Sequence, residues 1–108
     1  MDERTSDPHL FFEEELRSAL HEQAFGISCF EMIRATSLDA TAALTILEGN
    51  RIEFTLFTGG YQISGAENYS AVLGVVYETI EDLLSAISPL YVEKKHEALV
   101  ARLALLSR

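Results

Sequence analysis

The sequence predicts an α+β fold: an N-terminal helix, a three-stranded antiparallel meander, and two C-terminal helices packed on one face of the sheet. Three observations predict it. Apolar residues recur at helical spacing before residue 27 and again after residue 70. Between those regions, apolar and polar residues alternate in three short runs. Two turn signals, Glu48-Gly49-Asn50 and Gly59-Gly60, divide the runs.

The first helix is expected over residues 9 to 25, after a short tail at 1–8. Asp7 suits an N-cap, Pro8 the first turn, and Glu13, Glu14 and Glu15 lie near the positive helix end. Phe12, Leu16, Ala19, Leu20 and Ile27 share a stripe with Gln23, and Gly26 stops the helix. The next stretch, "ISCFEMIRATSLDA", either continues the helix or begins an extended segment, and is read as irregular. The meander follows over about residues 41–64. In its middle run Ile52, Phe54 and Leu56 point one way and Glu53 and Thr55 the other, so one face is buried and one is wet.

The second helix is expected after "GAENYS", capped by Asn68 or Ser70. Leu73, Val76, Tyr77, Ile80, Leu83, Leu84 and Ile87 make its apolar face, with Glu78, Glu81, Asp82 and Ser85 opposite. Ser88-Pro89 ends it and starts the third helix, Ser88 as cap and Pro89 in the first turn.

Length and composition bound the rest. The 108 residues, 48% hydrophobic, suit one domain over 9–106. The net charge is −9, and fifteen of the seventeen acids fall in residues 1–82. An acidic body does not track a phosphate backbone, so neither nucleic acid nor an anionic membrane surface is an expected partner. No apolar run approaches the roughly 20 residues of a membrane span. The first residues lack a signal-peptide pattern, and the lone Cys29 suits a reducing compartment. The cytoplasm is therefore expected, with the nucleus as the alternative.

Chemistry is sparse. His9, His21 and His96 are widely separated and read as surface residues rather than metal ligands. Cys29, between Ser28 and Phe30, reads as a buried structural thiol. No nucleophile elbow, phosphate loop or dinucleotide fingerprint occurs. The carboxylate clusters Glu13-Glu14-Glu15 and Glu81-Asp82 read as solvated helix faces. Asn68-Tyr69-Ser70 is formally a glycosylation sequon, read as no more than a helix cap. No catalytic residue, metal or cofactor is expected, and the chain does not read as an enzyme.

The last helix raises a question of its own. Val92, Leu99, Leu103 and Leu106 form one stripe, while Tyr91, Ala98 and Leu105 form another, with Arg102 between them. One face would suffice to join a core. Periodicity leaves three uses for the second face: a wedge in the core, self-association in a homo-oligomeric scaffold, or docking to another protein.

The stretch "VVYETIEDLLSAISPLYVEKKHEALVARLALL" resembles the domain of the glycogen synthase kinase-3 interacting protein family. The residues that carry the resemblance are Glu78-Thr79-Ile80, Leu83-Leu84, Ser88-Pro89, Tyr91, Ala98-Leu99 and Arg102-Leu103. The upstream hairpin "NRIEFTLFTGGYQISG", ending at Gly65, is also similar. The resemblance implies a non-catalytic adaptor whose last helix lies in a hydrophobic groove of glycogen synthase kinase-3. Carried over, the kinase-binding residues are Val92, Leu99, Arg102, Leu103 and Leu106, while Tyr91, Ala98 and Leu105 pack on the domain. Lys95, where related helices often carry an aromatic residue, and Ala104, in place of an acid, depart from the pattern. Relatives also anchor the regulatory subunit of protein kinase A through an N-terminal helix. Here Leu16, Ala19 and Leu20 would be the corresponding residues, although a helix covering the sheet would show the same stripe.

Overall fold

The computed structural model describes residues 11–67 and 70–107. Asp7-Pro8, His9 and the Asn68-Tyr69 cap and sequon positions lie outside them. The element order is α1 (Phe11–Glu22), a 3-10 turn at Ala24–Gly26, β1 (Ile27–Ala35), β2 (Ala40–Ile46), β3 (Arg51–Phe57), β4 (Gly60–Ala66), a 3-10 turn at Ser70–Val72, β5 (Val76–Tyr77), α2 (Ile80–Ile87) and α3 (Pro89–Leu106). The five strands form one antiparallel meander in the order β1-β2-β3-β4-β5.

The expected class and the three central strands hold, and two more strands extend the sheet. The segment read as irregular is β1, nine residues long. Its register shifts between Ile27 and Cys29 and again between Met32 and Arg34. Each bulge breaks the two-residue period by which a strand is recognised. Phe30, Met32 and Ala35 still turn toward the core. Cys29, expected to be buried, is exposed, because the first bulge separates its direction from that of Ile27.

The inner face carries Ala42, Leu44, Ile46, Ile52, Phe54 and Ile63, none more than 1% exposed. Alternation in β3 is as expected, with Ile52, Phe54 and Leu56 buried. The turns also hold: Gly49 at φ +98 closes β2–β3, and Gly60 at φ +128 opens β4 where an added Cβ would strike the Tyr77 carbonyl. Leu16 and Leu20 of α1 and Leu83, Leu84 and Ile87 of α2 cover this face.

The second helix is shorter than its apolar pattern suggests. Leu73, Val76 and Tyr77 precede it, and Ser70 begins a 3-10 turn instead of capping it. Gly74, at φ +83, breaks the path, and Val76 and Tyr77 pair with Gln62 and Tyr61 as β5. Thr79 is the cap, its side chain accepting from the Asp82 N–H at 3.0 Å. Ile27, placed on the first helical stripe by its spacing, instead starts β1. No helix among the described residues is long and apolar enough to cross a membrane.

Phe54 is wholly buried at the centre of this core, its ring 6.1 Å from that of Tyr61. Phe54→Ala is expected to destabilise the domain by about 3–5 kcal/mol, measured by urea unfolding followed through circular dichroism.

Candidate functional site

The third helix starts where expected. Ser88 Oγ accepts the Tyr91 N–H at 3.0 Å, and Pro89 occupies the first turn. Glu48, in the turn between β2 and β3, reaches the same helix end across 40 residues of sequence. Its carboxylate accepts the Ser88 hydroxyl at 2.7 Å and the Leu90 N–H at 2.8 Å. Loss of solvation by itself would push the Glu48 carboxyl up, but these two donors together hold it below its ordinary value.

Tyr91 completes the foot of the helix. It is wholly buried, donates its phenol to Gln23 Oε1 at 2.6 Å, and lies 5.7 Å from the Phe25 ring. Gly26 allows this fit, since a Cβ there would collide with the Tyr91 ring. Burial, helped by the negative charge of Glu81, pushes the phenol up to about 12.

Beyond Tyr91 the helix leaves the domain. Every residue from Val92 to Ser107 is exposed. Fifteen residues of helix, Val92 to Leu106, span about 22 Å at the α-helical rise. Alanine, leucine, lysine and glutamate predominate there, and these residues favour the helix without tertiary support. The expectation that Ala98 and Leu105 pack on the domain with Tyr91 is therefore corrected: both are exposed. The helix is packed against α2 and the 3-10 turn rather than the strands, and of that stripe only Tyr91 is buried. For the same reason α3 does not lie on the sheet as the second of two covering helices.

The residues read as kinase-binding all lie on this free length. Val92, Leu99, Leu103 and Leu106 are 45%, 53%, 56% and 78% exposed. Arg102 joins Lys95, Ala98 and Leu99 around a shallow concavity of about 210 Å³. Lys95 turns toward the domain, its Nζ 3.9 Å from Glu81 Oε2 and 5.9 Å from the centre of the Tyr91 ring. The position one turn before Leu99 thus belongs to the helix foot rather than to the stripe.

The N-terminal candidates have the opposite fate. Leu16 and Leu20 are wholly buried under the sheet, and Ala19 packs against the same core. A partner could reach that stripe only if α1 left its place. His21 and His96 are exposed, His21 edge-on to the Phe30 ring at 5.3 Å. Among the described residues, no group of three or more His, Cys, Asp or Glu side chains is placed to hold a metal ion.

Sequence reasoning missed Glu48, which read only as a turn residue. Its role depends on a partner 40 positions away, and no local pattern marks it.

A family model described as the GSKIP domain matches residues 12–106. No curated protein is matched by the chain.

Two outcomes are expected at the helix foot. In Glu48→Gln the charge-assisted cap is lost, with a cost near neutral pH of about 1 kcal/mol. Because the folded Glu48 carboxyl is depressed, its contribution is present above the unfolded value of 4.5 and is lost as pH falls through the folded one. The difference between the two proteins should therefore shrink below about pH 4.5, as read from urea midpoints across an acid series.

Tyr91 gives the opposite limb. Its raised phenol stabilises the fold fully below the unfolded value of 10.0, and that contribution is lost as pH rises through about 12. Tyr91→Phe should lose roughly 1–3 kcal/mol at neutral pH, because Gln23 keeps a buried acceptor without its donor. The same variant should show a flatter loss of stability in alkali, which urea unfolding at rising pH would measure.

Proposed function

The chain belongs to the GSKIP domain family, and on that premise we propose that it is a non-catalytic adaptor that binds glycogen synthase kinase-3 through α3. The mechanism is occupancy. Leu99, Leu103 and Leu106 enter a hydrophobic groove of the kinase, Val92 extends the stripe toward the foot, and Arg102 lies beside it. This is the helix-in-groove mode, in which anchors one and two turns apart fill successive pockets. Such binding restrains the kinase or holds it near other signalling proteins in the cytoplasm.

The observation that carries this reading is the exposure of the whole stripe on a helix held to the domain at its N-terminal end. A helix that wedged into its own core would have no such free length. Its backbone hydrogen bonds are already made, so docking asks little further ordering of the main chain.

One observation favours a second reading. Leu90, Val100 and Leu105 are also exposed, off the stripe. A helix apolar on several sides suits pairing with its own copy, which would make the chain a homo-oligomeric scaffold. Light scattering separates the two, since the adaptor is a monomer that gains mass only with the kinase.

The deciding experiment is calorimetric titration of the chain into purified glycogen synthase kinase-3, beside Leu103→Glu. Leu103 lies outside the core, so the variant should unfold within about 0.5 kcal/mol of the unmodified chain. Its binding should fall at least about tenfold, because a carboxylate must be desolvated in an apolar pocket. A folded variant that binds as well as the unmodified chain, or no binding by either, would remove the docking helix.

A further inference from the structure

A groove runs between α1 and the segment 78–81, beside the foot of α3 and apart from its leucine stripe. Its wider part, about 400 Å³, lies at the β3–β4 turn against Phe11, Phe12 and Phe57. The continuation, about 260 Å³, passes Ala19, Gln23 and Ile80. Tyr61, Glu15 and Glu78 line both parts, and Glu22 and Glu81 join them in the second. Among the described residues, no basic side chain lines either part.

The helical period explains the arrangement. Phe11, Glu15 and Glu22 fall on one flank of α1, next to the buried side that carries Leu16 and Leu20. Glu78 and Glu81 face them from the entry to α2. Lys95 lies 3.9 Å from Glu81. Among the described residues Glu15, Glu22 and Glu78 have no ion pair. Three carboxylates with no ion-pair partner among the described residues therefore stand around aromatic rings.

Tyr61 points to what the groove takes. It is only 8% exposed, yet its phenol makes no hydrogen bond among the described residues. It lines both parts of the groove. A tyrosine this deeply packed ordinarily finds a hydrogen-bond partner, so its polar end is left to an occupant of the groove. Burial, and then the charges of Glu15 and Glu22, hold the phenol above its ordinary value, and it stays neutral.

We propose that this groove binds an arginine side chain presented by a partner protein, with the guanidinium stacked among Phe11, Phe57 and Tyr61 and paired to Glu15 and Glu78. A guanidinium is planar, weakly hydrated and able to donate to two carboxylates at once, which suits a slot with apolar walls and an acidic rim. A lysine ammonium would find the charge but not the stacking. The acidic body of the chain, with fifteen of its seventeen acids in residues 1–82, attracts such a partner.

The test uses the full chain, labelled with nitrogen-15, and the probe acetyl-Arg-Arg-Arg-amide, followed by amide shifts and by calorimetry. The expected shifts concentrate at residues 11–23, 57–61 and 77–81. Glu15→Gln with Glu78→Gln should weaken binding about tenfold or more, the scale of losing a charge-assisted pair. Glu14→Gln with Glu93→Gln removes the same charge outside the groove and should weaken it less than about twofold. Equal losses in the two double variants, or shifts spread over all surface acids, would reduce the effect to general attraction and overturn the site. Acetyl-Lys-Lys-Lys-amide binding as tightly would overturn arginine as the occupant. If the unmodified chain self-associates in light scattering and the Glu15/Glu78 variant does not, the occupant is a second copy of the chain and the proposed partner is wrong. The kinase titration is independent of all these readings, because none of the four glutamates lies on the leucine stripe.

Discussion

Tyr91 fills the space that Gly26 leaves open, gives its phenol proton to Gln23, and thereby fixes the point at which the domain stops and its last helix continues alone. Four pieces of chain meet there: the end of α1, the 3-10 turn, the β2–β3 hairpin and the start of α3. Glu48 and Ser88 hold the backbone of that start, while Tyr91 holds its side-chain face. The arrangement is polar at its edge and apolar beneath, and an error at the Tyr91 N–H or phenol leaves a buried group unpaired. Such errors commonly cost about 1–3 kcal/mol each, a sizeable part of the stability of a small domain. The free helix is thus only as well placed as this junction.

The sequence made legible whatever a short window contains. The runs that became β2, β3 and β4, the two glycine turns, and the Ser88-Pro89 boundary each carry a local signal that tertiary structure did not overrule. The α1 stripe was equally clear through Leu16 and Leu20. Where reading failed, a local pattern had been broken or imitated. Two bulges hid β1 and turned Cys29 outward. Leu73, Val76 and Tyr77 imitate a helical face but precede Thr79, the true cap of α2. Gly74 and the pairing of Val76 with Gln62 decided against the helix, and neither is visible without β4 in place.

The interaction surfaces were legible to different degrees for the same reason. The leucine stripe of α3 lies within one continuous element, so its spacing could be read directly. Its freedom from the domain could not, because that depends on where the sheet ends. The groove beside α1 draws on four separate elements, and its glutamates looked like ordinary solvated residues until Tyr61 and Phe57 came to stand among them. The two surfaces also differ in their physics. One is a largely apolar helix face; the other is an acidic groove, where charge interactions are screened by salt. The two surfaces share no residue.

The attachment of α3 by its N-terminal end also has a mechanical side. With about 22 Å of straight helix beyond the pivot, a tilt of about 10° at Tyr91 carries Leu106 sideways by about 4 Å, while Val92 hardly moves. The junction therefore acts as a fulcrum and the helix as a lever arm. A partner gripping the tip gains leverage on the contacts of Gln23, Glu48 and Ser88, and through them on α1 and the β2–β3 hairpin. A load at the tip of α3 would be felt first at these contacts.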